Sequence, residues 1–419
     1  MPALVPILLL LLALFGAPLF AVIAASAMWG FYQEGIDLQA VSIAFYGIAE
    51  MPILLAIPLF TFAGYLLSES GAPRRLVRLT QALFGWMPAG LAIVSLAACA
   101  LFTAFTGASG VTIIALGALL FPALQQAGYP EKFNLGLVTS AGSLGLLFAP
   151  SLPLILYGVV AEISVEDLFR AGVLPGILML VALSGYSVWK NRALRAPLAD
   201  LSWAEVRAAV RDAIWEIPLP IVVLGGIYSG YFAISEAAAV TALYVLIIDM
   251  VILREIPWRK LPSIMRESMV LVGGILVILG MSLASTNYMI DAGIPQKLLA
   301  LVSEWVSSEF TFLLLLLLFL LVLGAILDIF SAIVLVVPMI LPVAIQFGVH
   351  PVHLGIIFLA TMQLGYLTPP VGLNLFIASY RFERSILEVY LSTLPFFLFL
   401  LFSVAVIAFW PWLTLVLLA

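Results

Sequence analysis

The chain has 419 residues, 64% of them hydrophobic and only 9% charged, with a formal net charge of −5. Its mean hydropathy is +1.24. A soluble domain carries about 25% charged residues, so this chain cannot cover a water-facing surface, and a soluble enzyme or a nucleic-acid partner is not expected. Lipid is the solvent that fits, and it admits only helices or closed barrels, because every backbone polar group must be paired internally.

Barrel strands read as alternating segments of about 10 residues. Here the apolar runs are long and continuous, as in 310–327 and 395–418, close to the ~20 residues of a spanning helix. The expected fold class is therefore an all-α polytopic membrane protein.

Taken in chain order, the first apolar run is 3–29. It exceeds the ~7–15-residue core of a signal peptide and has no basic flank, since the first Lys or Arg is Arg74. It reads as a retained first helix, despite the small residues Ala25-Ser26-Ala27. Further segments fall near 40–68, 88–126, 134–160, 170–189, 213–233, 236–253, 267–290, 310–346, 352–379 and 388–418. Those at 40–68, 88–126, 134–160, 310–346 and 352–379 are long and carry internal Pro or Gly, so they are expected to be helix pairs, re-entrant hairpins or broken helices. The single Cys99 allows no disulfide within the chain and reads as a small core residue.

Basic residues cluster at Arg74, Arg75 and Arg78, at Lys190 through Arg211, at Arg254 through Arg266, and at Arg381 and Arg384. Such loops should face the cytoplasm. The stretch 189–216 reads as an amphipathic interfacial helix anchored by Trp203 and Trp215, or as a plain linker. It divides the chain into a first repeat, 1–188, and a second, 217–419.

The repeat itself is visible. LGLLFAPSLP at 144–153 matches LGYLTPPVGL at 364–373, so Gly145 aligns with Gly365 and Pro150 with Pro370, 220 residues apart. PALQQAG and PVAIQFG, starting at Pro122 and Pro342, keep the same offset. Two halves with interrupted segments at matching positions are the sequence pattern of a secondary transporter's binding site. Counterpart loops differ in charge: 71–78 is basic where 293–309 is not, and 380–385 is basic where 161–167 is acidic. That contrast favours inverted repeats.

A proline inside a helix frees a carbonyl, and in a membrane interior that carbonyl needs protein, water or a cation. The first break offers Gly145, Phe148 and Pro150, facing TGASG with the hydroxyls of Thr106 and Ser109. The second offers Gly365, Thr368 and Val371, facing Gly324 and Asp328. These are two candidate sodium sites; the alternative for each is a packed kink without an ion. Asp328 reads either as anionic support for a cation or as a helix N-cap. Glu236 reads as a cap beside Ser235. Asn374, like Ser109, is a candidate substrate contact. His350 and His353 flank Pro351 without acidic neighbours and make poor metal or proton-relay candidates. No other cofactor is expected, and the lack of a nucleotide-binding motif argues against direct coupling to ATP.

At this point the sequence resembles a family. IPLFTFAG (57–64), LGLLFAPSLPLILYG (144–158), DLFRAGVLPG (167–176), GAILD (324–328) and LGYLTPPVGLNLF (364–376) look like the large membrane subunit of tripartite ATP-independent periplasmic (TRAP) transporters, over nearly the whole chain. The resemblance implies sodium-driven import of an organic anion such as a C4-dicarboxylate, sugar acid or keto acid. It implies delivery by a periplasmic binding protein, a small four-helix membrane subunit as a separate chain, an elevator motion, and a place in the bacterial inner membrane. It maps the family's sodium sites onto Thr106, Gly145, Phe148 and Pro150, and onto Gly324, Gly365, Thr368 and Val371. Two departures stand out: TGAS replaces the usual SGSS, so Ala108 lacks a hydroxyl, and Ala149-Pro150 replaces a Pro pair. Two other readings remain: a stand-alone sodium- or proton-coupled carboxylate carrier, and, remotely, an intramembrane serine protease built on GASG (107–110), which would need a histidine within reach of Ser109.

Overall fold

The computed structural model describes residues 4–87, 89–192, 202–306 and 308–418, and these are helical throughout, with no strand among the described residues. The order begins with α1 (Leu4–Leu14), α2 (Leu19–Gln33), α3 (Gln39–Gly47), α4 (Ala56–Glu69), α5 (Ala72–Phe84) and α6 (Gly90–Thr106). Then come α7 (Ser109–Ala115), α8 (Gly117–Gln126), α9 (Glu131–Ala141), α10 (Leu152–Val160) and α11 (Val165–Asn191). The second half runs α12 (Trp203–Asp212), α13 (Pro218–Tyr228), α14 (Ile234–Ile247), α15 (Leu261–Asp291) and α16 (Ile294–Trp305). It ends with α17 (Glu309–Ile326), α18 (Ile329–Gln346), α19 (Pro351–Gly365), α20 (Leu373–Phe382), α21 (Ile386–Phe409) and α22 (Trp412–Leu415).

Among the described residues, seven spans are long and apolar enough to cross a membrane, or nine if two bent pairs each count as one. The shorter apolar helices, such as α6, α13 and α19, hold 10–17 residues. At about 1.5 Å per residue they are shorter than a ~30 Å hydrocarbon core.

All five segments expected to break do so. The run expected as one helix over 3–29 breaks as well. Pro18 ends it, lacking an N–H and pushing Ala17 toward extended backbone, and Gly16 takes φ +89°. Helix α15 runs unbroken through Asp291 and carries α2 and α3 on one side and α4 on another.

The repeat reappears as element order. Helices α5 and α16 both start after a glycine with Pro at the second helical position, at Pro73 and Pro295. Start positions then pair as 90 with 309, 109 with 329, 131 with 351, 152 with 373 and 165 with 386, offsets of 219–221 residues. One difference is local: α7 and α8 meet at a 48° bend, whereas α18 passes through Pro338 and Pro342 as one helix.

In the 189–216 segment, 193–201 lie outside the described residues. The short helix α12 comes next, capped where the Ser202 hydroxyl accepts the Glu205 N–H. Val206, Ala209 and Ala213 are buried, while Trp203 is 74% exposed and Trp215 half-buried. The basic residues of α5 are largely paired. Arg75 bridges Glu216 at 2.6 Å and also Glu255, and Arg78 bridges Glu205 and Asp212. Burial works to raise the Glu255 carboxyl, but the hydrogen bonds from Arg75 and the Gly71 N–H hold it below the usual range. These contacts fasten α5 to α12 and to the loop before α15.

The two aligned glycines share a steric reason. A Cβ on Gly145 would lie 2.3 Å from the Ala100 carbonyl oxygen of α6. One on Gly365 would lie 2.5 Å from the Gly324 carbonyl carbon of α17. In each half the broken segment packs backbone to backbone against the helix that enters beside it. Gly365→Ala is therefore expected to destabilise the purified protein by about 1–3 kcal/mol in thermal unfolding. Gly185→Ala, whose Cβ meets nothing within 4 Å, should leave the midpoint unchanged or slightly raised.

Candidate functional site

The first break opens where α6 ends. Thr106 closes that helix, Gly107 takes φ +64°, and α7 starts at Ser109. Glycine is needed at 107 both for the positive φ and for space, since a Cβ would sit 2.5 Å from Leu152 Cγ at the start of α10. Facing it, α9 ends at Ala141, a 3₁₀ turn covers Leu144–Leu147, Phe148 is extended, and the Ala149–Pro150 bond is cis. The Thr103 hydroxyl joins these pieces, lying 2.9 Å from the Gly142 carbonyl oxygen and 2.7 Å from Thr112 Oγ1.

The ordering leaves buried hydroxyls unsatisfied in and beside the break, those of Thr106, Ser140 and Ser151. Thr106 is 0% exposed, and its Oγ1 has no hydrogen-bond partner among the described residues. Buried hydroxyls are nearly always paired, so an unpaired one at a site of freed carbonyls marks a place for a further ligand. The Gly145 carbonyl accepts the Phe148 N–H at 3.0 Å, and the Phe148 carbonyl accepts the Ser151 N–H at 3.1 Å. A carbonyl oxygen has two lone pairs, so each keeps capacity for a cation. Pro150 is buried.

The second break follows the same plan with more exposure. Helix α17 ends at Ile326, and Asp328 caps α18. Asp328 Oδ1 accepts the Ser331 N–H at 2.9 Å, and Oδ2 accepts the Ser331 O–H at 2.6 Å. Of the two readings of Asp328, the helix cap is the one that its hydrogen bonds display. Across from it, α19 ends at Gly365 and the Pro369–Pro370 bond is cis. The N–H groups of Val371 and Gly372 both donate to the Ala325 carbonyl, at 3.1 Å each. The Thr368 hydroxyl donates to the Gly365 carbonyl at 2.8 Å. Thr368 is half-buried, and Val371 is 40% exposed. Gly324 and Gly365 are in direct backbone contact, and the Val371 N–H and the Thr368 hydroxyl donate to the neighbouring Ala325 and Gly365 carbonyls.

Both hairpin tips border a cavity of about 490 Å³. Ser109, Asp328, Ser331 and Tyr366 line it from the tips and the second break, and Tyr65 and Gly274 line it from α4 and α15. Ser109, one of the two candidate substrate contacts, is among the lining residues. Asn374 is not among the lining residues. It is fully buried, and its amide NH₂ donates to the Thr139 carbonyl of α9 at 3.4 Å. It sits one residue into α20 on the face that packs inward, which a position count after Pro370 does not reveal.

Three contributors escaped the sequence reading. Thr103 and Thr112 look like ordinary apolar-helix threonines, and their pairing depends on the bend at 107. The Tyr366 hydroxyl accepts the Ile329 N–H, the first of α18, at 2.6 Å, joining residues 37 apart. Glu236 accepts the Ala233 N–H at 2.9 Å, a capping role. His353 is occupied on both ring nitrogens, by Thr414 Oγ1 at 2.8 Å and the Ala408 carbonyl at 3.2 Å, and His350 accepts the Val352 N–H. Neither is available to activate Ser109, which removes the protease reading. No group of three or more His, Cys, Asp or Glu among the described residues could hold a metal ion.

Paired broken helices that meet at a cavity inside an all-helical membrane protein define the class of secondary transporters. The chain belongs to the family described as "Tripartite ATP-independent periplasmic transporter, DctM component", whose sequence profile matches residues 5–413. It is 33% identical over 377 residues to the C4-dicarboxylate TRAP transporter large permease protein DctM of Pseudomonas aeruginosa, covering 90% of this chain and 88% of that one. It is 35% identical over 346 residues to the isethionate TRAP transporter permease protein DctMQ of Oleidesulfovibrio alaskensis. That match takes in 82% of this chain and 54% of that longer one. The fold is similar to that in the crystal structure of the Alcanivorax borkumensis YdaH transporter, with a TM-score of 0.65 at 15% identity, covering 88% and 87% of the two chains. The chain is thus a multi-pass TRAP transporter large subunit, and its relatives are named as transporters rather than enzymes.

Tyr366→Phe removes the acceptor of a buried N–H, which costs about 1–3 kcal/mol. The expected result is a lower midpoint in thermal unfolding, while Tyr380→Phe, at a residue 90% exposed, leaves it unchanged.

Proposed function

We propose that this subunit imports a small organic anion, a carboxylate, coupled to sodium. A periplasmic binding protein delivers the substrate, and a separate small four-helix membrane subunit completes the complex in the bacterial inner membrane. The observation that carries the reading is the buried Thr106 hydroxyl without a partner, at the end of the same helix α6 against which Gly145 packs. Sodium takes oxygen ligands of this kind, and a hydroxyl adds one without adding charge. Gly324, Gly365, Thr368 and Val371 form the second site, with the capped Asp328 supplying negative charge nearby. Ala108 offers no hydroxyl to the first site, so the Ser109 hydroxyl completes its oxygen set or contacts substrate.

The element repeat, with opposite charge on counterpart loops, supports inverted halves. The cavity supports an elevator motion: one wall is the hairpin tips and the other is the long α15, so the tips can carry substrate along α15. The names of the relatives support an anionic substrate, since C4-dicarboxylate and isethionate are both organic anions.

The test is uptake of organic acids into liposomes holding the subunit with its small partner. Uptake should need both an inward sodium gradient and the binding protein. Thr106→Val keeps the shape but loses the oxygen, and should raise the half-saturating sodium concentration at least about tenfold, equivalent to ~1.4 kcal/mol. Uptake without sodium would overturn the coupling. Sodium-driven uptake without the binding protein would place the chain among stand-alone carriers.

A further inference from the structure

The cavity at the hairpin tips has two unlike walls. The tip side carries Ser109, Asp328, Ser331 and Tyr366, and Tyr65 of α4 adds one more hydroxyl. The facing wall is a stripe of α15, Val270, Leu271, Gly274, Ile275 and Ile278, without a polar side-chain atom. Phe330, Leu373 and Ile377 add further apolar surface. No Lys, Arg or His is among the lining residues; Asp328 is the one carboxyl side chain there.

We infer that the cavity selects a monocarboxylate with an apolar body over a dicarboxylate. One carboxylate fits the polar end. A second has two places to go. Against the α15 stripe it would be an unpaired charge on hydrocarbon, which is strongly unfavourable. At the polar end it would meet the first carboxylate and Asp328, with no cationic side chain to compensate. The charge count agrees, and here the inference rests on the sodium reading: two sodium ions and Asp328 sum to one positive charge, which one carboxylate neutralises. Each methylene laid on the stripe should raise affinity about fourfold.

Gly274 gives the means to test the wall. A Cβ there meets nothing within 4 Å, and leucine favours a helix interior more than glycine does, so Gly274→Leu should fold and fill the cavity. The experiment is calorimetric titration of the complex in nanodiscs, in sodium chloride, with succinate, butyrate and 4-methylpentanoate, empty discs serving as the blank. The expected order is 4-methylpentanoate tighter than butyrate by about fifteenfold, given two methylene equivalents, and butyrate tighter than succinate. Gly274→Leu should weaken 4-methylpentanoate at least tenfold and butyrate less. Succinate binding tighter than butyrate would overturn the inference, as would binding of no acid at all, or full 4-methylpentanoate affinity in Gly274→Leu. Repeating the titration in choline chloride separates the two proposals. Unchanged affinity without sodium defeats the coupling, while the order among the three acids still decides the substrate class.

Discussion

A backbone carbonyl that loses its helical donor inside a membrane must find another partner, because lipid offers none. The rest of this structure depends on that constraint. Prolines at 150, 369 and 370 interrupt helices that would otherwise cross, and each interruption lies against a second chain reversal, at Gly107 or at Leu327 and Asp328. Most freed groups are paired locally: Val371 and Gly372 donate to Ala325, Tyr366 accepts from Ile329, and Thr103 bridges to Gly142. Thr106 Oγ1 lacks a partner, and so do the buried hydroxyls of Ser140 and Ser151 in and next to the first break.

Close backbone packing makes the arrangement possible. Gly145 against α6 and Gly365 against α17 allow each unwound segment to approach a helix nearer than any side chain would permit. Residues from both breaks line the same cavity. Helix α15 faces them with an apolar stripe, and the helices packed around it bury their own apolar sides. Ion pairs from Arg75 and Arg78 tie α5 to α12 and to the loop before α15.

Much of this was legible in the sequence, since composition dictates helices in lipid and proline and glycine mark the breaks. The 220-residue offset between the two LG…P motifs reappears in the helix starts, because the same local rules act on both halves. Other features were hidden for physical reasons. The break at Pro18 lies in a run whose hydrophobicity looks continuous. The inward turn of Asn374 depends on which face of α20 meets α9. The Tyr366–Ile329 bond and the Thr103–Thr112 pair are tertiary contacts, with no periodicity to announce them. The basic loops looked free in sequence, yet the partners of Arg75 and Arg78 lie more than a hundred residues away.

The central claim is that the two breaks form two separate cation sites of oxygen ligands. Equilibrium binding of radioactive sodium to the purified subunit, counted per chain, tests it most directly. The account predicts two ions per chain, falling to one when Thr368→Val removes the hydroxyl at the second break. A single ion per chain, or a stoichiometry that Thr368→Val leaves unchanged, would contradict it.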